Sequence, residues 1–163
     1  MVSGWHVAHL PVRVAGDKRV RQMVDQVLVS WPDLRILGFL LTSRPFQIPF
    51  VPVQAAFKLT GVGLEIRSFG ETQLKSRRWR RDMLGLQKAY WGLPVVDLTG
   101  RFYGRLKDVL FDERTLHVTH LIVSRGVLGD LMEGAMVVRA QDVLDVARGE
   151  IKIQPSRAPF SMR

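Results

Sequence analysis

The run Lys75-Ser76-Arg77-Arg78-Trp79-Arg80-Arg81 gathers five cations around one indole. A guanidinium can hold a phosphate or carboxylate through two parallel hydrogen bonds, and a tryptophan can stack on a base or lie at a lipid headgroup layer. Lys75, Arg77, Arg78, Trp79, Arg80 and Arg81 are therefore the candidate residues for binding an anionic ligand or nucleic acid. If residues 71–90 are helical, Trp79, Met83, Leu86 and Tyr90 share a side bordered by Gln87, and the arginines flank it and face solvent. The other arrangement is a solvated connector helix whose Trp79, Met83 and Leu84 pack on the neighbouring module. Both can hold together.

Other chemistry-bearing types are sparser. His6 and His9, like His117 and His120, are three apart; on a strand such residues point to opposite faces, so neither pair suits chelation, and no metal is expected. Asp108, Asp112 and Glu113 could supply paired carboxylates, but their surroundings suit Asp108 lining one face, with Asp112 and Glu113 setting a turn before Thr115. Gly61-Val62-Gly63 lacks the third glycine and the lysine of phosphate loops, and no Gly-x-Ser-x-Gly occurs. No catalytic residue set and no cofactor site is expected, and the chain reads as one that is not an enzyme.

Composition bounds the elements that position these groups. The 163 residues are 47% hydrophobic, enough for one ordinary core or two small ones, and contain no cysteine, which excludes disulfides and thiolate chemistry. The net charge of +9 is uneven: residues 1–67 and 68–92 each carry +4, and residues 93–163 carry +1. A short basic stretch thus holds as much excess charge as the whole segment before it, which points to a local anionic contact. Apolar runs are too short to span a bilayer, and His6, His9 and Pro11 interrupt any signal-peptide core, so a cytoplasmic protein is expected.

The chain repeats itself. Leu10-Pro11-Val12 recurs as Leu93-Pro94-Val95 at a spacing of 83, and residues 24–29 fall over 106–111 at 82. Leu37, Phe39 and Leu41 match Thr119, Leu121 and Val123 at 82, then 53–57 match 140–144 and 64–66 match 151–153 at 87. Five residues are inserted between the last two spacings, and apolar parity survives the insertion, as expected if each copy is one folding unit. Val109, Phe111, Leu121 and Val123 alternate with other residues, which is strand patterning, and Leu110 is a candidate buried position on the same run. The three prolines within 44–52 suit only a sheet edge.

The stretch Trp91-Gly92-Leu93-Pro94-Val95-Val96-Asp97-Leu98-Thr99-Gly100, followed by Gly104 to Asp112, resembles the opening of the PRC-barrel family: a short apolar strand, an Asp-x-x-Gly turn and a Gly-x-x-x-Asp-Val strand. Val137-Val138, Ala140-Gln141-Asp142-Val143 and Gly149-Glu150-Ile151 are similar to its closing elements. The resemblance implies a small β-barrel of the kind found in the reaction-centre H subunit and in a ribosome maturation factor for the small subunit, used for docking or assembly and without a catalytic residue set. In the earlier copy Gln22 and Ser30 stand where Gly104 and Asp112 do in the later one.

The expected fold is therefore mainly β, with two small PRC-barrel-like β-barrels in tandem, each with a short helix, joined by a basic, partly helical connector. The expected boundaries are a diverged module at 1–67, the connector at 68–90, a PRC-barrel module at 91–154 and a loose tail at 155–163. The expected function is a noncatalytic adaptor or assembly module that binds a protein or RNA partner through its barrels and connector. The alternatives are a small enzyme with its active site at the interface between barrels and a peripheral scaffold on an anionic membrane surface.

Overall fold

The computed structural model describes the chain except residues 21, 43–46, 148, 155–159 and 163, and describes no side chain for Phe57 or for 160–162. Chain order is β1 (Val2–Ser3), α1 (Gly4–Val7), β2 (Pro11–Val14), β3 (Gln22–Ser30), β4 (Arg35–Leu41), β5 (Ile48–Pro52), β6 (Ala56–Thr60), β7 (Gly63–Ile66), β8 (Gln73–Lys75) and α2 (Arg77–Lys88). It continues with β9 (Pro94–Asp97), β10 (Phe102–Phe111), β11 (Val118–Ser124), α3 (Val127–Glu133), β12 (Ala135–Arg139), β13 (Val143–Val146), β14 (Ile151–Ile153) and β15 (Phe160–Met162). The fold is mainly β.

Two sheets form, and their strand orders correspond: β6-β7-β2-β3-β4-β5-β8 in the first, β13-β14-β9-β10-β11-β12-β15 in the second. The two sheets correspond in register as well as in order. Val12 opposes Leu64 in a parallel pair, as Val95 opposes Ile151. Val24 opposes Leu41, as Leu106 opposes Val123, and the ladder slips in both sheets one residue later, at Asp25 and Lys107. A bulge at the corresponding position of both sheets bends each long strand in the same place. Gly104 belongs to this curvature, since at φ 141 its backbone passes so close to β11 that a Cβ would sit 2.5 Å from the Ser124 carbonyl oxygen.

One apolar core runs through both sheets, joining Val12, Trp31, Phe39 and Leu64 to Val95, Phe111, Leu121 and Ile151. Where the sheets meet, Ile36 donates its N–H to the Leu116 carbonyl and Val118 donates its N–H to the Leu34 carbonyl, both at 2.8 Å. The donors are 82 residues apart, as are the acceptors. Leu34 and Leu116 take positive φ, 50° and 56°. Branched side chains seldom adopt this conformation, so the reciprocal hydrogen bonds hold two matched strained turns together.

Several expectations need correction. The N-terminal part of the 1–67 module begins with a short helix, α1, which Ser3 caps by accepting the His6 N–H at 3.0 Å. Val2–Ser3 pairs with Phe111–Leu110, so the N-terminus adds to the second sheet rather than to the module of residues 1–67. Within the expected loose tail, 160–162 pair with β12. The proline-bearing β5 lies between β4 and β8 instead of at an edge; Pro49 opposes only Leu74 and Pro52 only Gly38, so each sits where one neighbour is absent. The earlier part of that loop lies outside the described residues. Leu110 is half-buried, because Val109 and Phe111 on either side of it face the core. No helix among the described residues is long and apolar enough to cross a membrane.

Candidate anionic-ligand interface

The six residues singled out in the sequence lie at the end of β8 and along the first turns of α2. Ser76 caps the helix by accepting the Trp79 N–H at 3.1 Å, which satisfies one of the donors that a helix start leaves open. Trp79, Met83 and Leu84 then pack on Leu28, Leu40, Ile48 and Phe50, a second apolar cluster on the outer face of the first sheet. The Trp79 ring lies 5.3 Å from Phe50, and the Lys75 ammonium stands 5.0 Å over the indole. Leu86, expected on this side, is exposed. Tyr90 instead stacks on Trp31, with ring centres 5.4 Å apart.

Trp79 is thus an anchor of the helix. Trp79→Ala should lower stability by at most about 3 kcal/mol, because the half-buried ring gains only part of the value of fully burying a large apolar side chain, and should leave the salt dependence of any ligand binding unchanged. Parallel urea melts and binding isotherms check both halves of this expectation.

With the apolar side turned inward, the cations project outward. Arg80 donates to Asp25 on β3 at 3.0 Å and ties the helix down. Arg78 and Arg81 lie 3.9 and 3.4 Å from Asp82. Arg77, Arg80, Arg81 and Lys88 line a groove of about 640 Å³ with Ile48 and Gly85. Gly85 has no side chain to fill the middle, and a Cβ there would meet nothing within 4 Å. Lys88, absent from the sequence-derived set, joins it because residues 77, 81 and 88 fall on one helical side.

Gln87 was placed only at the border of the apolar side, yet it is buried at 4% exposure. Its Oε1 accepts the Val29 N–H at 3.1 Å, and its Nε2 donates to the Val29 carbonyl at 2.9 Å. The amide thus completes the free edge of β3 as a neighbouring strand would. In the second sheet the same edge, at Phe111, is completed by β1.

Between the sheets lies a cleft of about 360 Å³ lined by Trp5, Asp25, Lys88, Trp91, Lys107 and Asp108, among others. Burial pushes the Asp108 carboxyl up, opposed by hydrogen bonds from the Val109 and Trp5 N–H groups. Its oxygens therefore serve the start of α1, and Asp25 serves Arg80. The other candidates are also engaged. Asp112 accepts from the N–H groups of Arg114 and Thr115 at 2.8 and 2.7 Å, and Glu113 meets the N-terminal ammonium at 2.7 Å. His6 Nε2 donates to the Gly61 carbonyl at 2.8 Å and His9 Nδ1 to that of Trp5 at 3.2 Å. Asp97 accepts from the Thr99 hydroxyl at 2.6 Å and from the N–H groups of Thr99 and Arg101, which hold its pKa down to about 2 and lock the β9–β10 turn.

Residues 91–158 match the family model of the PRC-barrel domain. A search of curated proteins gives no match.

Proposed function

We propose that the chain is a noncatalytic adaptor that holds an anionic partner, RNA in the first place, against the basic side of α2, while its β-sheets supply surfaces for protein assembly. The carrying observation is the groove around Gly85, where Arg77, Arg80, Arg81 and Lys88 converge on a helix already anchored from its other side. A helix fixed in this way presents its guanidinium groups with less ordering left to do on binding. The PRC-barrel domain supports the coarser statement, a small binding or assembly module. Matching strand order and register support reading the first sheet as the diverged first copy.

Because Trp79 is spent on packing, RNA contact should run through phosphates, with strong salt dependence and little sequence preference. Single-stranded RNA titrated at several salt concentrations tests this. Neutralising Arg77, Arg81 and Lys88 together should flatten the slope of log K against log salt by about 2, at roughly 0.7 for each lost phosphate contact. Absence of RNA binding by the unchanged chain at low salt would overturn the RNA assignment. Retained binding to an acidic peptide would place a protein in the groove.

The cleft between the sheets favours the second reading, a small-molecule or enzymatic site. Its two carboxylates are engaged with Arg80 and with the start of α1, which supports binding there over acid and base work.

A further inference from the structure

The outer faces of the two sheets are equivalent in register but unequal in cover. Leu28, Leu40, Ile48 and Phe50 on the first are buried under Trp79, Met83 and Leu84 of α2. Their counterparts at spacings of 82 and 87 are Leu110, Ile122, Ala135 and Val137, with Ile122 opposing Val137 as Leu40 opposes Phe50. All four are apolar and only half-buried, and none belongs to either core cluster. In the first half β8 runs through Ser76 into the covering helix.

Two further differences surround this face. The five extra residues of the second half fall between β11 and β12, where α3 forms. Asp130 of α3 accepts from Ser124 Oγ at 2.5 Å, placing the helix beside the face. Its Val127, Leu128, Leu131 and Met132 stand 78–84% exposed. Lys107, whose exposed ammonium lies 3.9 Å from Asp130 of α3, occupies the position of Asp25, the residue that holds Arg80 of α2 in the first half. The charge that fixes the covering helix is thus reversed.

The geometry points to the outer face of the second sheet as the docking site for an amphipathic helix of a partner protein, seated as α2 is on the first sheet. That helix carries large apolar residues at the spacing of Trp79, Met83 and Leu84, and an Asp or Glu where α2 has Arg80. Its apolar stripe covers Leu110, Ile122, Ala135 and Val137, the side chains of α3 extend the contact, and its carboxylate meets Lys107. This surface is distinct from the groove of α2, so either assignment can fail without the other.

Two labelled peptides spanning residues 76–90 test the site against the full-length chain, one with the natural sequence and one carrying Arg80→Glu. The Arg80→Glu peptide should bind saturably and about two- to fivefold more tightly than the natural one, as one exposed ion pair allows. Ile122→Asp should weaken it by about tenfold or more. Lys107→Glu should reverse the preference between the peptides, and Lys107→Gln, which sets no second carboxylate beside Asp130, should abolish it. No saturable binding, or binding that ignores both Ile122→Asp and Lys107→Glu, would overturn the proposal. It would equally be overturned if Ile122→Asp abolished binding to phosphatidylglycerol vesicles with no effect on the peptides, giving the face to lipid, or if it split a dimer of the unchanged chain, giving the face to a second copy.

Discussion

Trp31→Ala is expected to destabilise the chain by about 3–5 kcal/mol, a large part of the total stability of a small protein. The side chain is 2% exposed, lies 5.4 Å from Tyr90 in a stacked pair and meets Trp91 edge-on at 4.9 Å. It therefore ties the turn after β3 to the segment that leads from α2 into the second sheet. Its indole Nε1–H is buried without a hydrogen-bond partner among the described residues. Trp31→Phe keeps an aromatic ring and removes that unpaired donor, so it should cost much less than Trp31→Ala. Urea midpoints for both variants check the ordering. An alanine cost below about 1 kcal/mol would mean that this aromatic cluster does not join the two halves.

What could be read in the sequence follows from which interactions are local. The spacing of 82 placed Val24 over Leu106 and Phe39 over Leu121, and the ladders bear this out residue by residue because a shared core selects side-chain parity. Parity also explains the misplacement of Leu110. The alternation was assigned correctly to Val109 and Phe111, and the residue between two inward positions must face outward. The pairing of Val2–Ser3 with β10 spans more than a hundred residues and leaves no periodic mark in a two-residue strand. In α2 the candidates divide by role: Trp79 and Arg80 hold the helix in place, while Arg77 and Arg81 line the groove with Lys88, which no sequence motif singled out. Helical periodicity alone admits Leu86 as readily as Leu84 on the apolar side, and only the position of Phe50 and Ile48 decides between them.

Gln87 shows how a side chain with no motif can carry a junction, and replacing it should have the second large effect. Gln87→Leu leaves the Val29 N–H and carbonyl unpaired in the interior, at about 1–3 kcal/mol for each group. Gln87→Glu is more informative because its effect should depend on pH. Below the unfolded value of about 4.3 the protonated carboxyl can accept the Val29 N–H and donate to the Val29 carbonyl, as the amide does. Ionised, it sets a buried negative charge against that carbonyl oxygen, so its pKa in the folded chain must lie above the unfolded one. Between the two values the folded state binds more protons than the unfolded state, and stability falls as pH rises through this window and then levels off. The difference in urea midpoint between Gln87→Glu and the unchanged chain should therefore widen from pH 4 upward. A difference that stays constant with pH would place residue 87 in contact with solvent, and α2 would then lack its hydrogen-bonded hold on β3.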